Sequence, residues 1–450
     1  DVFERAVTDS ESGRTRSVEW RRRQLNGLLD LLADEEQAIQ EALGADLGKS
    51  AFEAWLTDVG PCVAEVRHAK DHVEDWMKPR SVSSPLVVQP ARSAIRPEPL
   101  GTVLIIAPWN YPLQLVVNPL TGALAAGNTA VVKPSELAPA TSALLAEMLP
   151  RYLDGVHVVE GAIPETTELL SLPFNHILFT GSTEVGKIVM RAAADNVVPV
   201  TLELGGKSPV VVDGSVDMAI AARRIIWGKL LNAGQTCIAP DYCLIDRGVL
   251  DPFVSELAEA VTAFHGADPQ RSGDLARIVN DRHLSRLTGL LDDHGGTVAV
   301  GGQVDVDDRY LAPTVVVDPD PDSPLMQEEI FGPILPVVPV DDVHDAIDFI
   351  RSRPKPLALY VFTDERSVAD RVLAATSSGS ACVNHVLMQV AVPELPFGGV
   401  GPAGMGRYHG QAGFDAMSNQ RAVVRKPMRP DLDLVYPPYS GTKQRLVKAA

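Results

Sequence analysis

Cys237 lies in a segment whose composition favours a reactive thiol. The segment reads Asn-Ala-Gly-Gln-Thr-Cys-Ile-Ala-Pro over residues 232–240 and follows a helical pattern that ends near Leu231. A structural cysteine lies more often within an apolar run, whereas small and polar residues precede this one. A nucleophilic thiol needs partial exposure and a polar or positive surrounding, which backbone N–H groups at the start of a helix would provide. Cys237 is therefore a candidate nucleophile, and a buried structural thiol is the alternative.

Glu203 is a candidate general base. It stands between two leucines in Leu-Glu-Leu-Gly-Gly-Lys-Ser-Pro, residues 202–209, at the end of a β-rich run. A carboxylate in this position lies either on the solvent face of an edge strand or in a cleft, where partial burial tunes its pKa for proton transfer. The two glycines let the backbone pass close to a ligand.

Asn110 belongs to Pro-Trp-Asn-Tyr-Pro, residues 108–112, which directly follows a predicted strand. Ligand sites in open α/β sheets lie beyond the carboxyl ends of the strands. The side-chain amide of Asn110 can donate to an oxyanion that develops during a reaction. A turn bracketed by prolines is the alternative interpretation.

Three further segments have residue types that suit a nucleotide. Lys133 and Glu136 follow another predicted strand and could reach a phosphate or ribose hydroxyls, or they are surface charges. Residues 179–186, Phe-Thr-Gly-Ser-Thr-Glu-Val-Gly, have the strand, glycine turn and helix start that bind anions, although they match neither G-x-G-x-x-G nor a Walker A loop. A simple strand–turn–helix is the alternative. Residues 328–333, Glu-Glu-Ile-Phe-Gly-Pro, could bind a sugar diol and pack a ring, or form a simple turn.

The elements that must position these residues alternate in type. Residues 17–48 and a stretch ending near Trp76 have helical periodicity. The predicted strands are 103–107, 130–132, 156–159, 177–179, 200–202, 210–212, 360–362 and 381–383. The predicted helices between and after them are 113–126, 140–149, 184–194, 218–231, 253–264 and 282–291. Alternation of short apolar strands with helices predicts an α/β fold with parallel sheets. Ser81 to Pro99 is a linker or an extended arm, and the last thirty residues are expected to be mostly extended.

Composition excludes several classes of protein. The 450 residues contain 40 Lys+Arg against 58 Asp+Glu, and the net charge of −18 argues against binding nucleic acid or an anionic membrane through bulk charge. We see no apolar run long enough for a membrane span and no signal peptide at the start. Four cysteines suit the reducing cytoplasm, and neither they nor the ten histidines have metal-ligand spacing, so no metal is expected.

Taken in order along the chain, these motifs resemble the aldehyde dehydrogenase superfamily. The matching segments are Pro108–Pro112, Lys133–Glu136, Phe179–Gly186, Glu203–Pro209, Gln235–Cys237, Glu328–Pro333 and Pro396–Gly401. The form Pro-Trp-Asn-Tyr-Pro, the run Cys-Ile-Ala-Pro-Asp-Tyr and the short N-terminus resemble the class 3 type. The resemblance spans about residues 20 to 420.

The resemblance implies oxidation of a small-molecule aldehyde to a carboxylic acid with NAD(P). Cys237 would be the nucleophile that forms a thiohemiacetal, and the Asn110 amide and the Cys237 N–H would hold its oxyanion. Hydride transfer to the nicotinamide would leave a thioester, which water activated by Glu203 would hydrolyse. A coenzyme A-acylating relative usually lacks that glutamate, and a non-catalytic binding protein on the same scaffold tends to lose the cysteine. Both alternatives are therefore disfavoured.

The resemblance also implies a cofactor site. Lys133 and Glu136 would hold the adenine ribose, Glu329 the nicotinamide ribose, and Phe331 would pack near the nicotinamide ring. The remaining cofactor-binding residues implied by the match are Trp109, Gly181, Ser182, Val185, Gly186 and Leu204. We expect NAD, with NADP as the alternative, because Lys133 favours a 2′-phosphate and Glu136 repels one.

The implied fold has a Rossmann-like cofactor domain over 1–80 and 100–205, to which the chain returns at about 396–420. A catalytic α/β domain covers 206–395, and residues 81–99 and 421–450 form an oligomerisation arm and tail. We expect a homodimer, because extended arms offer unpaired edges to a partner. We also expect a cytoplasmic protein that binds neither nucleic acid nor membrane. Tyr111 and residues 384–394 are predicted to line the substrate funnel, and no arginine stands out as a clamp for a substrate carboxylate.

Overall fold

A computed structural model describes residues 1–449 of the chain. Its α-helices are α1 (Val2–Glu11), α2 (Val18–Asp34), α3 (Glu36–Leu47), α4 (Ala51–Ala54), α5 (Gly60–Trp76), α6 (Gln114–Ala126), α7 (Pro139–Tyr152), α8 (Ile163–Leu170), α9 (Thr183–Asp195), α10 (Met218–Leu230), α11 (Leu250–His265), α12 (Asp281–Gly289), α13 (Pro324–Gln327), α14 (Val343–Arg351), α15 (Arg366–Ala375), α16 (Gly410–Ala416) and α17 (Gly441–Ala449). Its strands are β1 (Arg80–Val82), β2 (Arg92–Pro99), β3 (Thr102–Ile106), β4 (Thr129–Lys133), β5 (Val156–Val158), β6 (His176–Thr180), β7 (Val200–Glu203), β8 (Pro209–Val212), β9 (Tyr242–Asp246), β10 (Thr297–Val300), β11 (Val304–Asp305), β12 (Tyr310–Leu311), β13 (Thr314–Val317), β14 (Ile334–Val340), β15 (Ala358–Phe362), β16 (Ser380–Val383), β17 (Gly404–Met405) and β18 (Ser418–Arg425).

A layer of N-terminal helices packs against the rest of the molecule. Helix α2 begins where the Ser17 hydroxyl accepts a hydrogen bond from the Trp20 N–H, and its leucines face inward against α5 and α6. Helix α3 ends at Gly48, whose φ of 68° is the left-handed conformation common at helix ends. Between α4 and α5 the chain passes through a π-helical turn, Trp55–Val59. A π-helical turn within a helix is often found at a functional site, and this one lines a cavity.

The first large sheet has the strand order β17-β7-β6-β3-β4-β5, and only β17 runs antiparallel to its neighbour. Every residue of β3, β4 and β6 is buried, as expected for parallel strands covered on both faces. Ile106 pairs with both Lys133 and Phe179, and Thr180 pairs with Glu203. The carboxyl ends of four strands are therefore aligned at one edge of the sheet, where ligands bind in open α/β folds.

The second large sheet has the order β10-β13-β14-β9-β8-β15-β16, and only β10 is antiparallel to its neighbour. The predicted strands 210–212, 360–362 and 381–383 are β8, β15 and β16. We did not predict the central strands β9 and β14. Strand β14 contains Pro336 and Pro339, which usually argue against a strand inside a sheet. In the structure Pro336 pairs with Val316 and Pro339 with Ile245, so tertiary packing overrides this local signal.

A third sheet, β1-β2-β18, joins the segment after α5 to a segment near the C-terminus. Residues 92–99 pair antiparallel with residues 418–425, so the region that we predicted as a linker or an arm is largely a strand. The prediction that the last thirty residues are mostly extended was wrong for α17, which follows the prolines and contains good helix formers. Ala450, the end of the predicted tail, lies outside the described residues. No helix within residues 1–449 combines the length and apolar composition that a membrane span requires.

Candidate active site

An apolar cavity of about 390 Å³ opens beside the loop that carries Cys237. Its walls come from the π-helical turn, α5, α10, the residues after Leu387, and Tyr408. Within the described chain, no lysine or arginine lines it. The lining includes Trp55, Leu56, Tyr111, Leu115, Trp227, Leu231, Cys237, Ile238, Leu387, Met388, Val390, Ala391, Pro393, Phe397 and Tyr408. The cavity suits an apolar molecule whose reactive group reaches a sulfur atom.

A strained turn presents Cys237 to this cavity. After α10, residues Asn232, Ala233 and Gly234 adopt φ values of 52°, 50° and 76°. Non-glycine residues rarely occupy this left-handed region, and the surroundings must hold them there. A Cβ on Gly234 would lie 2.2 Å from the Gly332 carbonyl oxygen, so only glycine fits. The sequence analysis suggested a helix start at Cys237, but the residue lies in a turn instead.

The surroundings of the Cys237 thiol differ from the expected polar or positive setting. Burial raises its pKa to about 12, and the carboxylates of Glu329 and Glu203 add to this increase. The backbone N–H groups of Cys237 and Ile238 act in the opposite direction, because they donate towards the sulfur. The thiol therefore stays protonated at neutral pH in this state, although it is half-buried and reachable from the cavity.

Glu203 lies in a cleft and not on a solvent face. The residue is 2% exposed, and neither carboxylate oxygen has a hydrogen-bond partner among residues 1–449. Burial raises its pKa well above the usual range, and Arg407 opposes the increase. A Cβ on Gly398 would lie 2.9 Å from one carboxylate oxygen, so a glycine backbone covers this side of the group. An unpaired buried carboxyl is costly to the fold and is typical of a proton-transfer site.

The structure brings Asn110 to the Cys237 loop. Its side-chain amide donates to the Gln235 carbonyl at 3.0 Å, which uses one of its two hydrogens. Its own carbonyl accepts hydrogen bonds from the Asn232 side chain at 2.8 Å and from Lys49 at 3.3 Å. Asn110 is 2% exposed, so these bonds fix it between β3 and the turn that precedes Cys237.

The residues predicted for the adenine side of a cofactor lie at the aligned strand ends. Lys133 and Glu136 contact each other, with 2.7 Å between the ammonium nitrogen and a carboxylate oxygen. Ser182 caps α9 by accepting the Val185 N–H at 3.4 Å. A Cβ on Gly181 would lie 2.5 Å from the Phe179 ring, and one on Gly186 would lie 2.6 Å from Leu204. Both glycines therefore allow close packing of the helix start against the sheet.

The residues predicted for the nicotinamide side also cluster. The rings of Trp109 and Phe331 lie edge to face with centroids 5.4 Å apart. Burial raises the pKa of Glu329 to about 8, and Asp241 adds to this. One carboxylate oxygen of Glu329 is buried without a partner in the described chain, and the other lies where a Cβ on Gly205 would be, at 1.9 Å. An unpaired acceptor beside bare backbone fits a ribose diol, and the residues present therefore fit a dinucleotide.

Sequence reasoning missed several residues around the site. Of the residues predicted to line a substrate funnel, the cavity is lined by Tyr111, Leu387, Met388, Val390, Ala391 and Pro393. Asn384 instead bonds the Thr363 backbone. We did not anticipate the buried groups Lys49, Asp58 and Glu53 behind Asn110. On the sequence they read as ordinary charges on helix ends, and no local spacing indicates that they are buried together.

Comparison with known proteins identifies the family of the chain. The family model of the aldehyde dehydrogenase family matches residues 1–423. The chain belongs to the aldehyde dehydrogenase family. It is 51% identical to aldehyde dehydrogenase family 3 member B1 of Rattus norvegicus, over 98% of this chain and 94% of the relative. It is 46% identical to a dimeric NADP-preferring aldehyde dehydrogenase of the same species, over 95% and 94%.

A bacterial member of the aldehyde dehydrogenase family is similar in both sequence and structure. The chain is 44% identical to the 4,4′-diaponeurosporen-aldehyde dehydrogenase of Staphylococcus aureus, over 100% of this chain and 99% of the relative. The substrate-bound structure of Staphylococcus aureus AldH covers 100% of this chain and 98% of its own, with a TM-score of 0.97 at 44% identity.

Family membership confirms the predicted fold class and the predicted activity. This aldehyde dehydrogenase oxidises an aldehyde with NAD(P) as cofactor. The resemblance to the class 3 type is confirmed by the family 3 relatives. The comparisons support neither coenzyme A acylation nor a non-catalytic binding role.

Proposed function

We propose that Cys237 is the nucleophile of this aldehyde dehydrogenase. One observation carries the proposal. Cys237 lines the apolar cavity, and the carboxylates of Glu203 and Glu329 are close enough to its sulfur to raise the thiol pKa. It therefore stands between a place for the aldehyde and the residues that fit a cofactor. The other half-exposed thiol, Cys382, is not part of the cavity lining.

In the first half-reaction the Cys237 thiol loses its proton to solvent water. The thiolate sulfur then forms a bond to the aldehyde carbon, and the carbonyl electrons move to the oxygen. The oxyanion accepts hydrogen bonds from the Cys237 N–H and from the amide hydrogen of Asn110 that Gln235 leaves free. A bound nicotinamide cofactor would supply the acceptor for the hydride that leaves this carbon. A thioester on Cys237 remains.

In the second half-reaction Glu203 accepts a proton from water as the water oxygen attacks the thioester carbon. The carbon–sulfur bond then breaks, the thiolate of Cys237 leaves, and the carboxylic acid forms. Its raised pKa and its unpartnered oxygens, as far as the described residues go, suit Glu203 to take and release this proton.

For the cofactor, we propose that Lys133 and Glu136 hold the adenine ribose and that Glu329 holds the nicotinamide ribose. Trp109 and Phe331 would flank the nicotinamide, and the start of α9 with Gly181, Ser182, Val185, Gly186 and Leu204 would face the adenosine. NAD is the proposed cofactor and NADP the alternative. Glu136 already neutralises much of the Lys133 charge that a 2′-phosphate would need.

The proposed domains follow the two large sheets. Residues 1–80 and 100–205, with the return at 396–420, would bind the cofactor, and residues 206–395 would carry Cys237. We propose a homodimer formed through the arm sheet β1-β2-β18, as the name of the dimeric rat relative suggests. We also propose a cytoplasmic location, which suits four free thiols.

We propose that the substrate is an aldehyde with a long apolar body. The cavity wall is mostly apolar, although Glu65, Gln114 and His409 also line it, and its described part offers no lysine or arginine to a substrate carboxylate. The Staphylococcus aureus relative is named for an aldehyde of the diaponeurosporene type.

The test uses Cys237→Ala with Cys382→Ala as the matched control. We expect Cys237→Ala to abolish NADH formation with aliphatic aldehydes while NAD still binds, as measured by quenching of tryptophan fluorescence. Cys382→Ala should keep the wild-type rate. In the wild-type enzyme, kcat/KM should rise with aldehyde chain length. Wild-type turnover by Cys237→Ala would refute the nucleophile, and a preference for short or carboxylated aldehydes would refute the substrate class.

A further inference from the structure

A fully buried ion pair lies directly behind Asn110. The Lys49 ammonium is 2.7 Å from a carboxylate oxygen of Asp58, and both side chains are 0% exposed. Asp58 belongs to the π-helical turn, and its other oxygen accepts the Gln114 N–H at 3.3 Å, at the start of α6. Burying two charges costs several kcal/mol per ion before their attraction compensates. Well-packed apolar side chains would stabilise the fold as well as this ion pair does, so stability alone does not explain the pair.

The donors of Lys49 point at the segment that carries Asn110. Besides Asp58, the ammonium contacts the Thr57 hydroxyl at 3.4 Å and the Asn110 carbonyl at 3.3 Å. It also lies 4.1 Å from the centre of the Tyr111 ring. A charged donor makes a stronger hydrogen bond to a carbonyl than a neutral one, and so restrains rotation of the Asn110 peptide.

The same peptide is connected to the turn before Cys237. The Asn232 side chain donates to the Asn110 carbonyl at 2.8 Å and to the Gln235 carbonyl at 3.3 Å. The Asn110 amide donates to that Gln235 carbonyl as well, at 3.0 Å. Glu53, from the same N-terminal layer as Lys49, accepts the Asn232 N–H. Lys49 therefore bonds the Asn110 peptide, and Glu53 bonds the turn before Cys237, to which that peptide is connected.

We propose that Lys49, held by Asp58, is a positioning residue that fixes the Asn110 peptide and so directs the Asn110 amide at the substrate oxyanion. This inference rests on the proposed function, in which Asn110 stabilises that oxyanion. Catalytic donors must be held close to their productive geometry, because a misplacement of about 1 Å can cost about a hundredfold in rate. Two fixed bonds to one carbonyl provide such a restraint without contact between Lys49 and the substrate.

The test compares paired substitutions in two backgrounds. Lys49→Met with Asp58→Asn removes both charges of the pair together, so that neither partner stays behind as an uncompensated buried ion, as it would after a single substitution. Glu53 is kept in every variant. Lys49→Gln with Asp58→Asn keeps a neutral donor for the Asn110 carbonyl. Each pair is made in the wild-type enzyme and in Asn110→Ala, and the rate of the single-turnover NADH burst, KM and the NAD dissociation constant are measured.

We expect the methionine pair to bind NAD normally and to keep KM, but to lower the burst rate about thirtyfold through loss of orientation. The glutamine pair should recover most of that rate, because it restores a donor. In Asn110→Ala, which alone is expected to be about a hundredfold slower, neither pair should cost more than about threefold.

Three results would contradict the positioning role of Lys49 or the oxyanion role of Asn110. A wild-type burst rate in the methionine pair would refute the positioning role while Asn110→Ala still shows its own loss. Full additivity of the losses in Asn110→Ala would also refute it, because Lys49 would then act elsewhere. A wild-type burst rate in Asn110→Ala would instead refute the proposed oxyanion role, and this inference with it. If the methionine pair does not fold, Lys49→Leu with Asp58→Asn replaces it in both backgrounds, and a loss confined to enzymes with Asn110 supports the proposal.

Discussion

The groups around the Cys237 sulfur oppose its ionisation. Burial and two carboxylates raise its pKa to about 12, so almost no thiolate exists at neutral pH before ligands bind. Glu329 raises the pKa of the Cys237 thiol mainly above pH 8, because its own pKa of about 8 means that most of its negative charge appears there. The reactivity of the thiol should therefore depend on the ionisation of its neighbour.

We expect Glu329→Gln to make Cys237 react faster with iodoacetamide at high pH. Above pH 8 the wild-type carboxylate is charged and raises the thiol pKa, so its removal should increase the alkylation rate at pH 9.5 by roughly three- to tenfold. At pH 6.5, where Glu329 is neutral, the two enzymes should react alike. Mass spectrometry of the peptide that contains Cys237 measures the rate.

The neighbouring Glu328→Gln is the control for this change. Glu328 is exposed and is not among the groups that shift the pKa of Cys237. Acceleration by Glu328→Gln equal to that of Glu329→Gln would show a general charge effect. Equal rates of wild type and Glu329→Gln at pH 9.5 would contradict the proposed coupling.

Glu203→Gln should separate the two half-reactions. The variant keeps the shape of the side chain but cannot accept a proton from water, so hydrolysis of the thioester should slow by about a hundredfold or more. We expect a rapid NADH burst of about one equivalent per site, followed by slow steady turnover, in stopped-flow absorbance. Cys237→Ala should show no burst at all. Unchanged steady turnover in Glu203→Gln would remove this residue from the mechanism.

At the scale of elements, the turn after α10 is where the backbone stores strain. Three consecutive residues adopt left-handed φ values, and Gly234 packs against the Gly332 carbonyl. Glu53, in the N-terminal helices, accepts a hydrogen bond from the Asn232 N–H of the turn. The Asn232 side chain donates to the carbonyl of Asn110, in the segment that follows β3. The position of the Cys237 sulfur is therefore set by elements that are far apart in sequence.

Gly234→Ala should destabilise this turn strongly. A Cβ would add left-handed strain and a contact of 2.2 Å with backbone oxygen, so we expect the free energy of unfolding to fall by about 3 kcal/mol. Activity should fall with it. Urea denaturation followed by tryptophan fluorescence measures the loss.

Gly13→Ala is the matched control for the strain itself. Gly13 has a φ of 75°, and no heavy atom of the described chain lies within 4 Å of its missing Cβ. It should cost about 1 kcal/mol, from the conformation alone. Equal losses for the two variants would show that the contact with Gly332 does not matter.

At the scale of the molecule, the arm sheet has exposed apolar side chains. Val82 and Val424 both pair with Ser93 on β2, so they lie on one face, and they are 45% and 59% exposed. These two valines leave apolar surface exposed on one face of the sheet. A second copy of the chain is the proposed cover.

Val82→Asp with Val424→Asp should therefore give a monomer. Sedimentation should show a particle of twice 48.3 kDa for the wild type and of 48.3 kDa for the variant, because buried like charges oppose association. Ser81→Asp, on the opposite face, should stay dimeric. Dimers in both variants would refute this face as the interface, and a monomeric wild type would refute the homodimer.

Local patterns predicted the strands that carry the site. Strands β3, β4, β6 and β7 are short β-branched or apolar runs followed by glycine, proline or polar residues, and such buried strands are readable without their neighbours. Strand β14 was not predicted, because its prolines contradict the pairing that the sheet imposes. Strand β9 was not predicted either, although it contains no proline. Helix α17 was not predicted either, because we expected extended chain there.

The sequence alone identifies the family from the order of its motifs, and this resemblance makes Cys237, Glu203 and Asn110 the candidates for the reaction. Only the tertiary structure decided how those groups are charged and held. The pKa of a thiol depends on desolvation and on carboxylates that arrive from other elements, and the buried Lys49–Asp58 pair forms only when the N-terminal helices close over Asn110. Local spacing contains no information about such contacts, because they are created by packing between segments distant along the chain.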